Sequence, residues 1–331
     1  MPMFSHSFSF NSLKPKYKYA IIGVLFIFTF FLGYWLKQYF ININHLEVKQ
    51  EKHETGFRYI SPLLECINDS ASDYKNLEIK EKLQNLIKSE TAKNSVSHVS
   101  IYLRDLNNGP WIGINEYEKF SPASLMKVPL LISYLKIAET NPEILNKVVV
   151  INISDTQVLR QNILPLKHVE YNKSYTINQL LDYMIRYSDN VAAGTLLENI
   201  DPVSLNKIYR DLNLNVPTGD EENFMTVYEY AAFFRLLYNS SYLDRAMSEK
   251  ALSLLTESTF TNGLVAGVPS NTQVSHKFGE RILANAKQLH DCGIVYRENH
   301  NYLVCIMTRG NDFIKMENSI KALSKLIYDN F

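Results

Sequence analysis

Residues 120–131 read FSPASLMKVPLL. A polar lead-in, Ser121-Pro122, opens onto an apolar-periodic helix that continues as ISYLKIAE. At its start stands Ser124-Leu125-Met126-Lys127, a serine and a lysine three apart. On a helix that spacing puts both side chains on one face. A serine hydroxyl is a poor nucleophile until a base takes its proton. A lysine kept out of water and near other cations loses basicity and can be that base. The ordinary content of such a helix start is an N-cap serine and a solvated lysine. The apolar neighbours on both sides of Lys127 speak against a solvated face.

Upstream, residues 77–87 carry apolar positions at helical spacing, and residues 98–103 (HVSIYL) alternate as a strand does. Asn107, Asn108 and Gly109 make a turn, and residues 110–114 form the returning strand. Downstream comes a mostly helical middle, including residues 177–186 and 227–238. Strands follow at 273–278, 293–296 and 302–307, and a closing helix at 314–328. The last two strands read as a hairpin. Strands from both ends of the chain can therefore share one antiparallel sheet, with the helical block inserted between them.

Two further polar clusters fall on these elements. Ser188-Asp189-Asn190 separates two apolar helical runs, where a loop with an N-cap is the ordinary reading. Lys277-Phe278-Gly279 lies on a predicted strand, where the glycine suggests close backbone approach and an edge lysine is the ordinary reading.

Taken in order, S-x-x-K, S-D-N and a K-T-G-like triplet resemble the signature of class A β-lactamases and penicillin-binding proteins. The likeness covers most of residues 57–331 and includes MIRYSDNVAAGTLL and the strands HKFGE, HDCGIVY and NYLVCIMTRG. It implies an α/β sandwich with a five-stranded antiparallel sheet and an all-helical subdomain at about 140–260. It also implies an enzyme that hydrolyses amides of β-lactams or related cell-wall peptides through an acyl-enzyme. Carried over by position, Ser124 attacks the carbonyl and Lys127 is the base or part of the relay to it. Ser188 passes a proton to the leaving nitrogen. Asn190 binds the substrate amide and steadies Lys127. Lys277 supplies positive potential, and the backbone N–H groups of Ser124 and Glu280 form the oxyanion hole. Gly279 leaves room for the substrate backbone.

The chain departs from that family twice. Phe278 replaces the threonine or serine that helps hold the substrate carboxylate, which leaves Arg281 as a compensating substrate-binding candidate. The long loop that carries the deacylating glutamate is shortened to residues 213–224. Only Glu221 and Glu222, beside Asp220, are placed to substitute, and a solvated acidic turn is their ordinary reading. The motifs favour a β-lactamase, whereas the short loop favours a D-alanyl-D-alanine peptidase or a slow penicillin-binding protein. A non-catalytic cell-wall-binding relative is the rival from another class. Retention of Ser124, Lys127, Ser188, Asn190 and Lys277 argues against it.

Residues 19–36 (YAIIGVLFIFTFFLGYWL) carry no charge. Their length suits a single transmembrane helix, with Tyr17, Tyr19, Tyr34, Trp35 and Tyr39 at its ends. Lys14, Lys16 and Lys18 precede it and only Lys37 follows closely, which places residues 1–18 in the cytoplasm. Residues 41–56 read as a polar stem, and the hydrolase domain as residues 57–331, outside the membrane and acting as a monomer. A formal net charge of +0 argues against a nucleic-acid partner. No cofactor or metal is expected, since ligand spacing is lacking. The three cysteines form no disulfide framework. If Arg297 pairs with Tyr302, Cys292 and Cys305 share a sheet face one pair out of register, as two buried thiols or, alternatively, a cross-strand disulfide. Cys66 has no assigned partner, and His290 and Asp291 read as structural.

Overall fold

Three long C-terminal strands make most of the sheet: β7 (Gln273–Leu283), β8 (Ala286–Tyr296) and β9 (Tyr302–Gly310). Two N-terminal strands, β3 (His98–Asp105) and β4 (Trp111–Ile114), complete it in the order β4-β3-β9-β8-β7, every pair antiparallel. The expected five-stranded sheet built from both chain ends is therefore present. This computed structural model describes residues 14–43, 48–69, 74–107, 111–152, 161–217, 223–284, 286–298 and 300–331.

The sheet separates two apolar cores because side chains alternate across a strand. On β9, Tyr302, Val304 and Ile306 face one core with Ile79 and Leu83 of helix α2 (Tyr74–Ala92) and with Met316, Ile320, Leu323 and Ile327 of helix α9 (Phe313–Asn330). Leu303, Cys305 and Met307 face the other core, which the inserted helices fill. Those helices are α3 (Lys127–Ala138), α4 (Ile177–Arg186), α5 (Asn190–Glu198), α6 (Pro202–Asp211), α7 (Val227–Tyr238) and α8 (Arg245–Thr256). Burial on both faces explains why β9 reads as an apolar run rather than as an alternating strand.

Local chemistry sets several boundaries. Helices α4 and α7 begin at capping boxes, Thr176 with Gln179 and Thr226 with Glu229. Both therefore start where the apolar period predicts. On α4 the buried positions are Ile177, Leu180, Leu181, Met184 and Ile185, a single stripe at helical spacing.

The structure corrects the β8–β9 register. Val295, not Arg297, lies opposite Tyr302, so Cys292 and Cys305 face each other directly. They form a disulfide instead of two free thiols. Beyond the last pair, the Asn301 side-chain oxygen accepts the Arg297 N–H, so Arg297 belongs to the turn and not to the ladder. Two short pairings were not expected. Strand β1 (Val48–His53), within the polar stem, pairs with β2 (Leu63–Asp69), and β5 (Val148–Val150) pairs with β6 (Ser174–Thr176).

Helix α1 (Pro15–Ile43) is 29 residues long. Among its described side chains Phe26 is 78% exposed and Trp35 73%. Counted over the described residues alone, no helix is long and apolar enough to cross a membrane.

Candidate active site

The S-x-x-K segment is not one continuous α-helix. Ala123–Met126 is a 3₁₀ turn, and α3 starts at Lys127. In a 3₁₀ turn, side chains at i and i+3 eclipse, which stacks Ser124 over Lys127 more directly than an α-helix does. The residue before the serine, Ala123, takes a left-handed backbone with φ of 49°. Such a conformation costs an alanine free energy and persists only where its surroundings impose it.

Those surroundings are buried side chains gripping the turn's backbone. Gln288 Oε1 accepts the Ser121 N–H at 2.9 Å, and Tyr230 donates its hydroxyl to the Leu125 carbonyl at 3.0 Å. His290 Nε2–H donates to the Ser121 carbonyl at 2.9 Å, while its Nδ1 accepts the Thr308 N–H. Burial pushes His290 down to about 4, so it is neutral and donates through one nitrogen only. The structural reading of His290 from the sequence agrees with these bonds. Asp291 is also tied down, to the His276 ring at 2.8 Å and to the Leu264 N–H at 2.8 Å.

Strand β7 passes against the same turn. A Cβ at Gly279 would meet the Pro122 carbonyl oxygen at 2.7 Å and the Leu125 nitrogen at 3.0 Å. Only glycine permits that approach, and it brings the backbone of Glu280 beside Ser124.

The second cluster closes the site. Asp189 is a buried N-cap, accepting from Val191 N and Ala192 N, with its other oxygen taken by Val169 N. It fixes the start of α5, where Asn190 sits, and leaves Ser188 in a left-handed conformation with φ of 57°. Lys127 Nζ then reaches the Ser188 carbonyl at 2.6 Å, the Ser188 Oγ at 3.2 Å and Asn190 Oδ1 at 2.7 Å. From the opposite side Lys277 Nζ donates to Ser188 Oγ at 2.8 Å and to the Phe278 carbonyl at 2.8 Å. Two buried lysines thus converge on one hydroxyl.

Burial dominates both lysines. Lys127 is pushed down to about 7, with Asp189 and Glu280 partly opposing the shift. Lys277 lies well below the usual lysine range, because of its burial and then its repulsion by Lys127.

Ser124, Lys127, Asn190, Glu280 and Arg281 line one cavity of about 860 Å³. On its helical side the wall is Met126, Leu130, Leu205, Tyr209 and Pro217, with Asn206 among them. Phe278, expected on the substrate wall, is instead buried and stacks on Phe260 with ring centroids 4.2 Å apart. An apolar core position next to Phe260 and Leu264 holds the phenyl ring better than a polar cleft does. Glu221 and Glu222 lie outside the described residues. The sequence had not pointed to the Glu280 side chain, whose Oε1 accepts the N–H groups of Asn162 at 2.6 Å and Ile163 at 2.7 Å. No motif marks it.

The family model of the beta-lactamase enzyme family matches residues 78–331. This chain belongs to that family. Beta-lactamase OXY-1 of Klebsiella oxytoca is 26% identical over 206 residues, 57% of this chain and 68% of that protein. Beta-lactamase VEB-1 of Pseudomonas aeruginosa is 25% identical over 243 residues, 66% of this chain and 77% of that protein. Among solved structures, a PBP-A mutant captured as its acyl-enzyme with penicillin G is similar at a TM-score of 0.65 and 17% identity, covering 76% of this chain and 96% of its own. A class A beta-lactamase from Mycobacterium abscessus gives 0.61 at 19% identity, with 76% and 97% covered. At such identities the structural likeness speaks for the fold. The kinship with class A β-lactamases and penicillin-binding proteins drawn from the three motifs is borne out.

Proposed function

We propose that this family member is a serine acyl-transfer hydrolase acting on the amide of β-lactams or related cell-wall peptides, with Ser124 as the nucleophile. The observation that carries the reading is the state of Lys127. It is a buried amine near neutrality, one 3₁₀ turn from a serine that lines a cavity. A neutral amine has two protons and a lone pair. Its two shortest partners, the Ser188 carbonyl and Asn190 Oδ1, take the protons, and the lone pair is left for a hydroxyl. Lys127 then accepts the Ser124 proton as the C–O bond forms. Ser188 Oγ, held between both lysines, is placed to return a proton to the leaving nitrogen. The N–H groups of Ser124 and Glu280 meet the oxyanion, and this contact matters most as charge develops in the transition state.

The pH dependence follows with a definite sign. A lysine lowered to about 7 is protonated below that value and free above it. Acylation by a penicillin, followed by stopped-flow or quenched intact mass, should rise with pH through a midpoint near 7 and then level. A rate that is flat across pH 5.5–8.5, or that falls as pH rises, overturns Lys127 as the base.

We also propose that residues 19–36 anchor the protein as a single-pass helix, with the hydrolase domain outside the cell membrane. The support is the uncharged run itself, about 27 Å long at 1.5 Å per residue, with its lysines concentrated on the N-terminal side. Added protease should remove the domain from intact cells, and residues 41–331 made alone should be soluble. Protection of the domain in intact cells would contradict this orientation.

A further inference from the structure

We propose that a second pocket, between the end of α6 and helix α7, binds a small aliphatic α-amino acid, with Arg235 on its carboxylate and Asn239 on its ammonium group. The site is independent of the acyl-transfer reading: none of its described lining residues lines the Ser124 cavity.

The pocket encloses about 270 Å³, near the small end of ligand sites, which run from roughly 300 to 1,000 Å³. Leu212 and Leu214, just past α6, and Leu236 of α7 give it an apolar wall. Two polar side chains in the lining are uncommitted. Arg235 Nε is buried without a hydrogen bond, and its guanidinium makes no ion pair among the described residues. Asn239 Oδ1 is buried and equally unpartnered. Buried polar atoms are nearly always satisfied, so a donor and an acceptor left over in one pocket mark a site for a polar ligand. Both side chains are half-buried and can turn those atoms towards a molecule in the pocket. A guanidinium matches a carboxylate as a fork, and an amide oxygen accepts from an ammonium group.

The spacing fits one small zwitterion. Asn239 is the C-cap of α7, with its N–H on the Arg235 carbonyl at 3.0 Å. The two side chains therefore stand one turn apart, with about 5–6 Å between Cβ atoms. An α-amino acid carries both charges on one carbon and can meet both groups at once, leaving its side chain for the leucine wall. Glu229, the carboxylate in the described lining, accepts the Thr226 N–H at 2.8 Å as part of the α7 capping box and forms no ion pair with Arg235.

The test is isothermal titration of the full-length protein in a non-ionic detergent. Five compounds are compared: D-leucine, L-leucine, leucinamide, 4-methylpentanoate and glycine. We expect at least one leucine enantiomer to bind saturably at one per chain. Leucinamide lacks the carboxylate, 4-methylpentanoate the ammonium group and glycine the side chain. Each should bind more weakly by roughly tenfold or more, the usual effect of one lost charged or apolar contact. Arg235→Gln and Asn239→Ala should weaken leucine by a similar factor, with thermal melts showing that each variant is folded. The comparison of ligands on the wild type stands even if a variant does not fold. No saturable binding of either enantiomer up to ~10 mM, which is weaker than about −3 kcal/mol, overturns the inference. So does leucinamide binding as tightly as leucine, or leucine affinity unchanged in Arg235→Gln, which places the ligand elsewhere. Acylation of Ser124 is untouched by any of these outcomes.

Discussion

A Ser124→Ala variant mixed with a penicillin should show no gain in intact mass, whereas the wild type gains the mass of one drug molecule. The hydroxyl is the only group lost, and Ala123 and Leu125 remain gripped through the neighbouring backbone by Gln288, Tyr230 and His290. A Lys127→Ala variant should still acylate, but slower by roughly 10²–10⁴-fold, the usual worth of a positioned proton acceptor. Lys127→Arg separates the base from a mere positive charge. A guanidinium stays protonated at any working pH, so the arginine variant should remain as slow as the alanine variant. Thermal melts belong beside these rates, because truncating Lys127 leaves Asn190 Oδ1 and the Ser188 carbonyl without their amine. An adduct on Ser124→Ala at the wild-type rate places the nucleophile elsewhere and removes the mechanism. A fully active Lys127→Arg keeps the nucleophile and removes the base.

Much of this site was legible in the sequence, and the reason is local. Ser124 and Lys127 are joined by one turn, and Ser188 and Asn190 flank a single N-cap aspartate. Once a buried lysine is required, apolar neighbours such as Leu125, Val128 and Leu130 identify which lysine it is. Helices α4 and α7 were legible for the same kind of reason, since their capping boxes are contiguous with their apolar stripes.

What escaped the sequence depends on contacts between distant segments. The register of β8 against β9 is fixed along the whole ladder, and the turn closes with the Asn301 side chain on the Arg297 N–H. A shift of one pair separates two free thiols from a disulfide. Strand β1 carries VKQEKH, a polar run without alternation, and only its pairing with residues 63–69 makes it a strand. Phe278 occupies a motif position that points to substrate, yet Phe260, nearly 20 residues away, draws its ring into the core. The role of the Glu280 side chain depends on the backbone of Asn162 and Ile163, more than a hundred residues earlier. No pattern of residue types along the chain encodes such an encounter.

The acyl-enzyme formed on the wild type should be long-lived. In the proposed mechanism, acylation draws on groups that the site holds in place: the serine, Lys127, the Ser188 hydroxyl and the N–H groups of Ser124 on its turn and Glu280 on β7. Deacylation needs something further, a water activated on the other face of the ester. The cavity's described lining there includes Met126, Leu130, Leu205, Tyr209 and Pro217, with Asn190, Asn206 and Asn223 among its polar members. Among the described residues Glu280 is the one carboxylate lining the cavity, and its Oε1 is engaged with backbone N–H groups. Without a positioned base, hydrolysis forgoes roughly 10²–10⁴-fold of rate. A chromogenic β-lactam should therefore give a burst of one equivalent followed by a slow steady state, and the covalent adduct should persist in intact-mass spectra taken along that phase. Glu221 and Glu222 supply the contrary case. If either reaches the ester, the wild type turns over without a burst, and Glu221→Gln or Glu222→Gln traps the adduct. Fast turnover that survives both substitutions would mean that the base comes from another segment, and that the short loop at 213–224 is not the counterpart of the family's deacylation loop.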